Sequence, residues 1–426
     1  MVTVDLEPMR AVREALGQFS NFLEGVEREQ PTLAGLNFYA QWLDECFRAI
    51  GEHKPIVAHQ FSFFPELIYA FDLHPLCAEA WSILPLYMDP LGGTEAVDVA
   101  ENAGVHPELC GSFKFNIGEM IRGRMPMPHL MICPSAPCDS ARISYQIFQH
   151  YTNAPMFYLD EGYWDTEEDL DYIEGEYRRL IAYMEQLFNR KLNYDRLAEV
   201  LEENNKAIGY FLEASELRKL VPCPQSGKAL LYSSFGFMAA AGHPLNTALQ
   251  KAILDDAKER AEKGIGIIPE EKIRCVWFYA TVIWDYTLFN WLEDEWKLVI
   301  PITLDSYHLA QPIDTSSPDT MIRGLAERTW NIVPMGRQGR GPADVWIDDM
   351  LNAYDNWKGN CIILSGHVAC KWLKLACGLV RETCRDLGIP LFMFDVDLFD
   401  PRVVSAETYR QKIADFITTV VLPAVG

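Results

Sequence analysis

Eleven cysteines carry the most distinctive chemistry in this 426-residue chain. Three stand in loops of unusual composition: Cys110 in HPELCGSFKFNIG, Cys138 in CPSAPCDSAR and Cys370 in SGHVACKW. Cys138 and Cys370 each follow a short apolar run. A thiolate at a helix N-terminus is stabilised by the helix dipole and by nearby cations, here Arg142, Lys371 or Lys374. Such thiolates suit a soft metal centre. The competing reading is burial, because cysteine is among the most buried residue types. Cys46, Cys77, Cys223, Cys275 and Cys361 fit that reading. Cys370, Cys377 and Cys384 recur every seven residues. On a helix they share one face, drifting ~20° per step, but stand ~10.5 Å apart along the axis. Two of them are therefore too distant to hold one compact cluster, and Cys370 is nearest the loop. Cys133, five residues before Cys138, is a further thiol within reach of a cluster. His367 precedes Cys370 by three and either hydrogen-bonds a substrate oxygen or caps the helix.

Positioning these loops requires a scaffold of strands and helices. Apolar runs at 55–61, 129–137 and 154–160 end in loops, with helical stretches Pro65–Phe71 and Ser140–Tyr151 between them. That alternation predicts a parallel sheet with crossover helices. Residues 166–265 are helical in pattern: Ile173, Tyr177, Leu180, Ile181, Met184, Leu187 and Phe188 form one amphipathic stripe. Thr166 with Asp169 reads as its capping pair. Residues 361–397 form the clearest unit, a βαβ crossover whose helix ends at Gly388. Ligands gather at the carboxyl ends of such strands. The fold class is α/β: two flavodoxin-like or Rossmann-like parallel-sheet domains, 1–165 and 266–426, with a helical segment inserted at 166–265.

Composition narrows the function. Asp and Glu number 60 against 37 Lys and Arg, a net charge of -23. That balance excludes a general nucleic-acid surface and an anionic-membrane partner. Odd, sparse cysteines do not make a disulfide scaffold, and no leader or membrane span is evident, so a cytoplasmic protein with reduced thiols is expected. There is no GxxxxGK[ST] phosphate loop, GxGxxG fingerprint, GxSxG elbow, HExxH helix or CxxC pair.

Five segments resemble the 2-hydroxyacyl-CoA dehydratase / benzoyl-CoA reductase family: FFPELIYAF (63–71), ELCGSFKFNIG (108–118), PSAPCDSARISYQIF (134–148), SGHVACKWL (365–373) and GIPLFMFDVD (388–397). The resemblance implies an iron–sulfur dehydratase component, with Cys110, Cys138 and Cys370 as ligands of a [4Fe–4S] cluster that keeps one iron open. It implies an acyl-CoA substrate, a related second subunit and a separate ATP-hydrolysing iron–sulfur activator. It also implies the chemistry. One electron delivered to the thioester carbonyl gives a ketyl radical that expels the α-hydroxyl. Loss of the acidified β-proton and return of the electron then give the enoyl-CoA. Glu66 matches a family position near the substrate, with a role in hydroxyl departure or proton removal; alternatively it is a first-turn capping acid. Arg337 and Arg340 in GRQGRG form a basic island suited to CoA phosphates, or a solvated turn. Where the family often has arginine, Lys412 falls.

Three functional readings stay open at this level. The chain is a catalytic dehydratase subunit, or a reductase of the same superfamily, for which Cys133, Cys377 and Cys384 supply a double-cubane centre. It is a non-catalytic subunit that relays the electron. Or it is a cluster-free α/β protein with core cysteines.

Overall fold

The computed structural model describes residues 4–164, 166–307, 311–331, 337–339 and 343–425. Two parallel four-stranded sheets organise the chain. The first comprises β1 (Ile56–His59), β2 (His74–Cys77), β3 (Leu130–Pro134) and β4 (Met156–Leu159), in the order β2-β1-β3-β4. The second comprises β5 (Ile273–Phe278), β6 (Leu298–Thr303), β7 (Cys361–His367) and β8 (Leu391–Val396), in the order β6-β5-β7-β8. All pairings are parallel. The same order occurs twice, although no repeat is visible in the sequence. It is the order with which flavodoxin-type sheets begin, and it reverses direction between the first and third strands of each sheet.

Helices cover the sheets, which explains the continuous apolar runs of β1, β3, β5 and β7: every residue of these strands is buried. The edge strands β2 and β6 carry Pro75 and Pro301. Proline withholds a ladder donor, so it belongs on an edge. These prolines obscured both strands in the sequence, and β5 also went unread.

The segment between the sheets is helical, as its periodicity predicts: Glu167–Phe188, Tyr194–Leu217, Lys228–Ala240 and Pro244–Lys263. Thr166 accepts the Asp169 N–H at 3.2 Å, and Asn193 caps the next helix through Arg196 N–H at 3.1 Å. The helix Gln30–Gly51 packs along Lys228–Ala240 and Pro244–Lys263. Gly35 is essential there, since a Cβ would lie 2.2 Å from the Tyr232 ring. The helix Gly111–Ile121 crosses Pro90–Asn102 just as closely at Gly118. Among the described residues, no helix is long and apolar enough to cross a membrane.

Candidate metal and active site

The carboxyl ends of both sheets converge on one cavity of about 760 Å³, counted out to its open mouth. Its walls come from loops immediately beyond the strands: Phe61 after β1, Glu79 after β2, Cys138 after β3, Tyr279 after β5, Asp305 after β6 and Cys370 after β7. Cys138 and Cys370 occupy matching positions in the two sheets, each beyond the third strand, at the point where strand order reverses. Cys110 reaches the same cavity from the β2–β3 crossover.

Each of these cysteines stands at the N-cap of a helix: Cys110 before Gly111–Ile121, Cys138 before Asp139–Thr152 and Cys370 before Lys371–Leu387. The positive end of a helix dipole therefore lies beside each cysteine, although only the Cys138 side chain makes a cap hydrogen bond. Ala141 N–H donates to Cys138 Sγ at 3.4 Å. His367 Nε2 lies 3.2 Å from Cys110 Sγ. Cys370 shares its stretch of the cavity wall with Tyr279 and Trp372.

Burial dominates the electrostatics. It pushes Cys370 up to about 12, and Cys110 and Cys138 well above the usual thiol range. Mutual repulsion reinforces it, with Asp397 acting on Cys110 and Cys370 on Cys138. The expected help from cations is small. Arg142 is paired with Asp139 and Lys374 with Asp395. The metal-free thiols are thus protonated at neutral pH, and metal binding must displace their protons. Two acids share the cavity with different proton affinities. Burial raises Glu79 to about 8 and Asp305 to about 6. Glu79 Oε1 and Asp305 Oδ1 have no hydrogen-bond partner. Sequence reasoning missed Glu79, Tyr279 and Asp305, and each follows one of the missed strands, β2, β5 and β6. Recognising HPLC, IRCVWF and LVIPIT as strands would have located all three.

Residues 61–420 match the family model described as 2-hydroxyglutaryl-CoA dehydratase, D-component. The chain belongs to this family. Its named members are dehydratases and hence lyases. The chain is 23% identical to the (R)-phenyllactyl-CoA dehydratase alpha subunit of Clostridium sporogenes, over 75% of this chain and 79% of that protein. It is 21% identical to the (R)-2-hydroxyisocaproyl-CoA dehydratase alpha subunit of Clostridioides difficile, over 92% and 96%. It is 21% identical to (R)-2-hydroxyglutaryl-CoA dehydratase subunit alpha of Acidaminococcus fermentans, over 69% and 60%.

Within this D-component family member, the remaining expected site residues divide. His367 lines the cysteine cavity. Glu66 is not among its lining residues. It is fully buried elsewhere, 2.7 Å from the Arg328 guanidinium and accepting from Asn204 Nδ2 at 2.6 Å. Arg337 is ion-paired with Asp349 rather than free. Gly339, two residues on, nevertheless abuts Pro137 and Trp372, beside the cysteine loops. Arg340 lies outside the described residues. Cys133, Cys377 and Cys384 do not line the cavity. Cys133 is within β3, and Cys377 bonds its own helix at Leu373 O.

Among the described residues, no three His, Cys, Asp or Glu side chains are close enough to hold a single metal ion. An iron–sulfur cube makes a different demand, because each thiolate binds a separate iron and the sulfurs stand around a larger body. Three thiols from three separate loops, facing one cavity, fit that donor set.

Proposed function

We propose that this chain is the cluster-bearing subunit of a 2-hydroxyacyl-CoA dehydratase, with Cys110, Cys138 and Cys370 holding a [4Fe–4S] cluster. The observation that carries the reading is the convergence of these three cysteines, each at a helix N-cap position, on one cavity at the carboxyl ends of both sheets. When bound, such a cluster supplies a low-potential electron and an iron without a protein thiolate, open to a substrate oxygen. The reaction removes water from an (R)-2-hydroxyacyl-CoA to give a 2-enoyl-CoA.

The chain's own residues supply the proton chemistry. Glu79, raised to about 8, holds its proton at neutral pH and hands it to the departing hydroxyl. Asp305, at about 6, is mostly ionised and takes the β-proton. One proton enters the water and one leaves the carbon, so the pair returns to its starting state after one transfer between them. Aromatic and aliphatic walls, including Phe61, Phe113 and Leu398, exclude water from the reacting centre. Arg337 and Arg340 remain the candidates for the CoA phosphates. Gly339 against Pro137 and Trp372 supports that assignment, and a phosphate there must compete with Asp349 for Arg337.

Dehydration is preferred to reduction because the relatives are named dehydratases. A larger double-cubane centre is disfavoured, since Cys133, Cys377 and Cys384 stand away from the cavity lining. The relatives are named as alpha subunits, which supports a second subunit as partner. A separate ATP-hydrolysing activator is part of the same reading, as the family resemblance implies. The test is anaerobic co-production with a related second subunit and an activator, followed by a panel of (R)-2-hydroxyacyl-CoA thioesters. ATP-dependent enoyl-CoA formation is expected. A fully iron-loaded assembly that turns over none of the panel refutes the reading.

A further inference from the structure

Two side chains beside the sulfurs have no part in the proton chemistry above. Tyr279 is the first residue beyond β5, and His367 is the last residue of β7, the strand paired with β5. Tyr279 has φ 79°, the left-handed region that residues bearing a Cβ rarely adopt. Backbone strain of this kind persists where the surroundings over-determine it, and it clusters at functional sites. Here the strain turns the phenol into the cavity. Its ring packs edge-on against Trp372, with centroids 5.6 Å apart, and it lines the same cavity wall as Cys370. His367 is buried, with Nε2 3.2 Å from Cys110 Sγ. Its other nitrogen, Nδ1, faces the Leu398 N–H at 3.3 Å, the Val396 carbonyl at 3.5 Å and the Asp397 carboxylate at 3.8 Å. The tautomer in which Nδ1 accepts from Leu398 carries its proton on Nε2, aimed at Cys110. Cys138, by contrast, receives the backbone N–H of Ala141.

We infer that Tyr279 and His367 are positioning residues that donate hydrogen bonds to the Cys370 and Cys110 sulfurs and set how readily the centre accepts an electron. The inference rests on the cluster reading above. A donor at a ligating sulfur withdraws charge from the thiolate and favours the more negative, reduced state. Both donors come from adjacent strands of the second sheet, so the two sulfurs they serve are tuned together. Cys138, beyond β3, is held by its helix terminus.

The experiment is an EPR-monitored redox titration of anaerobically reconstituted full-length protein, with iron content and melting temperature measured on the same samples. The variants are Tyr279→Phe, His367→Phe, the double variant, and His367→Gln, whose amide N–H replaces the imidazole donor. Tyr279→Phe and His367→Phe each shift the midpoint to more negative potential, the double variant shifts it further, and His367→Gln restores most of its share. Loss of iron from Tyr279→Phe at unchanged melting temperature also supports the role. Wild-type midpoints in Tyr279→Phe and His367→Phe at full iron content overturn it. So does iron loss accompanied by a lowered melting temperature, which assigns Tyr279 to packing alone. If the wild type itself takes up no iron, it is the cluster reading that falls.

Discussion

Glu79 provides a prediction that needs neither cofactor nor partner. Burial raises its carboxyl from 4.5 to about 8, against smaller opposing contributions from backbone N–H groups of Glu79 and Phe61. Between those values the folded chain holds a proton that the unfolded chain has released. Stability therefore falls as pH rises through that window. Below it both states are protonated, and above it both are ionised. From pH 5 to pH 8 the loss is roughly 3.5 kcal/mol, at 1.36 kcal/mol per pKa unit. At about 2.1 cal/mol/K per residue, the unfolding entropy of a chain this long is ~0.9 kcal/mol/K, so the loss corresponds to about 4 °C. Glu79→Gln has the same shape and no ionisation. Calorimetric melting of cluster-free wild type and Glu79→Gln, at both pH values under reducing conditions, isolates the effect from other carboxylates. The variant's melting temperature should gain about 4 °C on the wild type between pH 5 and pH 8. A difference that does not change with pH refutes the assignment of Glu79 as a neutral buried acid.

Other perturbations test the scaffold. Arg328→Met strands Glu66 as a buried charge without its partner. It should lower the melting temperature by about 3–5 °C, equivalent to roughly 3–5 kcal/mol, with Glu66→Gln/Arg328→Met recovering most of the loss; an unchanged melting temperature contradicts this. Gly118→Ala places a Cβ 1.8 Å from the Ala96 carbonyl oxygen, a backbone atom that cannot yield without parting two helices. Soluble expression should collapse, whereas Gly378→Ala, which meets nothing within 4 Å, should leave it unchanged or improve it.

The architecture was legible wherever burial wrote a simple pattern. The runs at β1, β3, β4, β7 and β8 stood out because apolar strands beneath helices lack polar alternation. The cap at Thr166 and the stop at Gly388, with φ 68°, were legible because a single residue type satisfies each geometry. The missed strands hide behind prolines at sheet edges, and behind Arg274 in β5, whose buried guanidinium is neutralised by Glu271 and backbone carbonyls. Their loss concealed Glu79, Tyr279 and Asp305, since a residue beyond an unread strand has no assigned place. The cysteines were found through their loops, and the helices that start after Cys138 and Cys370 were legible, whereas the helix Gly111–Ile121 after Cys110 was not. Glu66 shows the opposite limit. Its partners Asn204 and Arg328 are 138 and 262 residues away in the chain, and no local pattern announces such a contact.

Whether Cys110, Cys138 and Cys370 hold one iron–sulfur cluster decides what this cavity does. The direct measurement is iron and acid-labile sulfide per chain after anaerobic reconstitution, on wild type and on single Cys→Ser variants. Wild type should carry about four of each. Cys110→Ser, Cys138→Ser and Cys370→Ser should each lose most of it, while Cys133→Ser, Cys377→Ser and Cys384→Ser keep it. Iron-free wild type, or a Cys138→Ser variant loaded as fully as wild type, contradicts a cluster shared by these three cysteines.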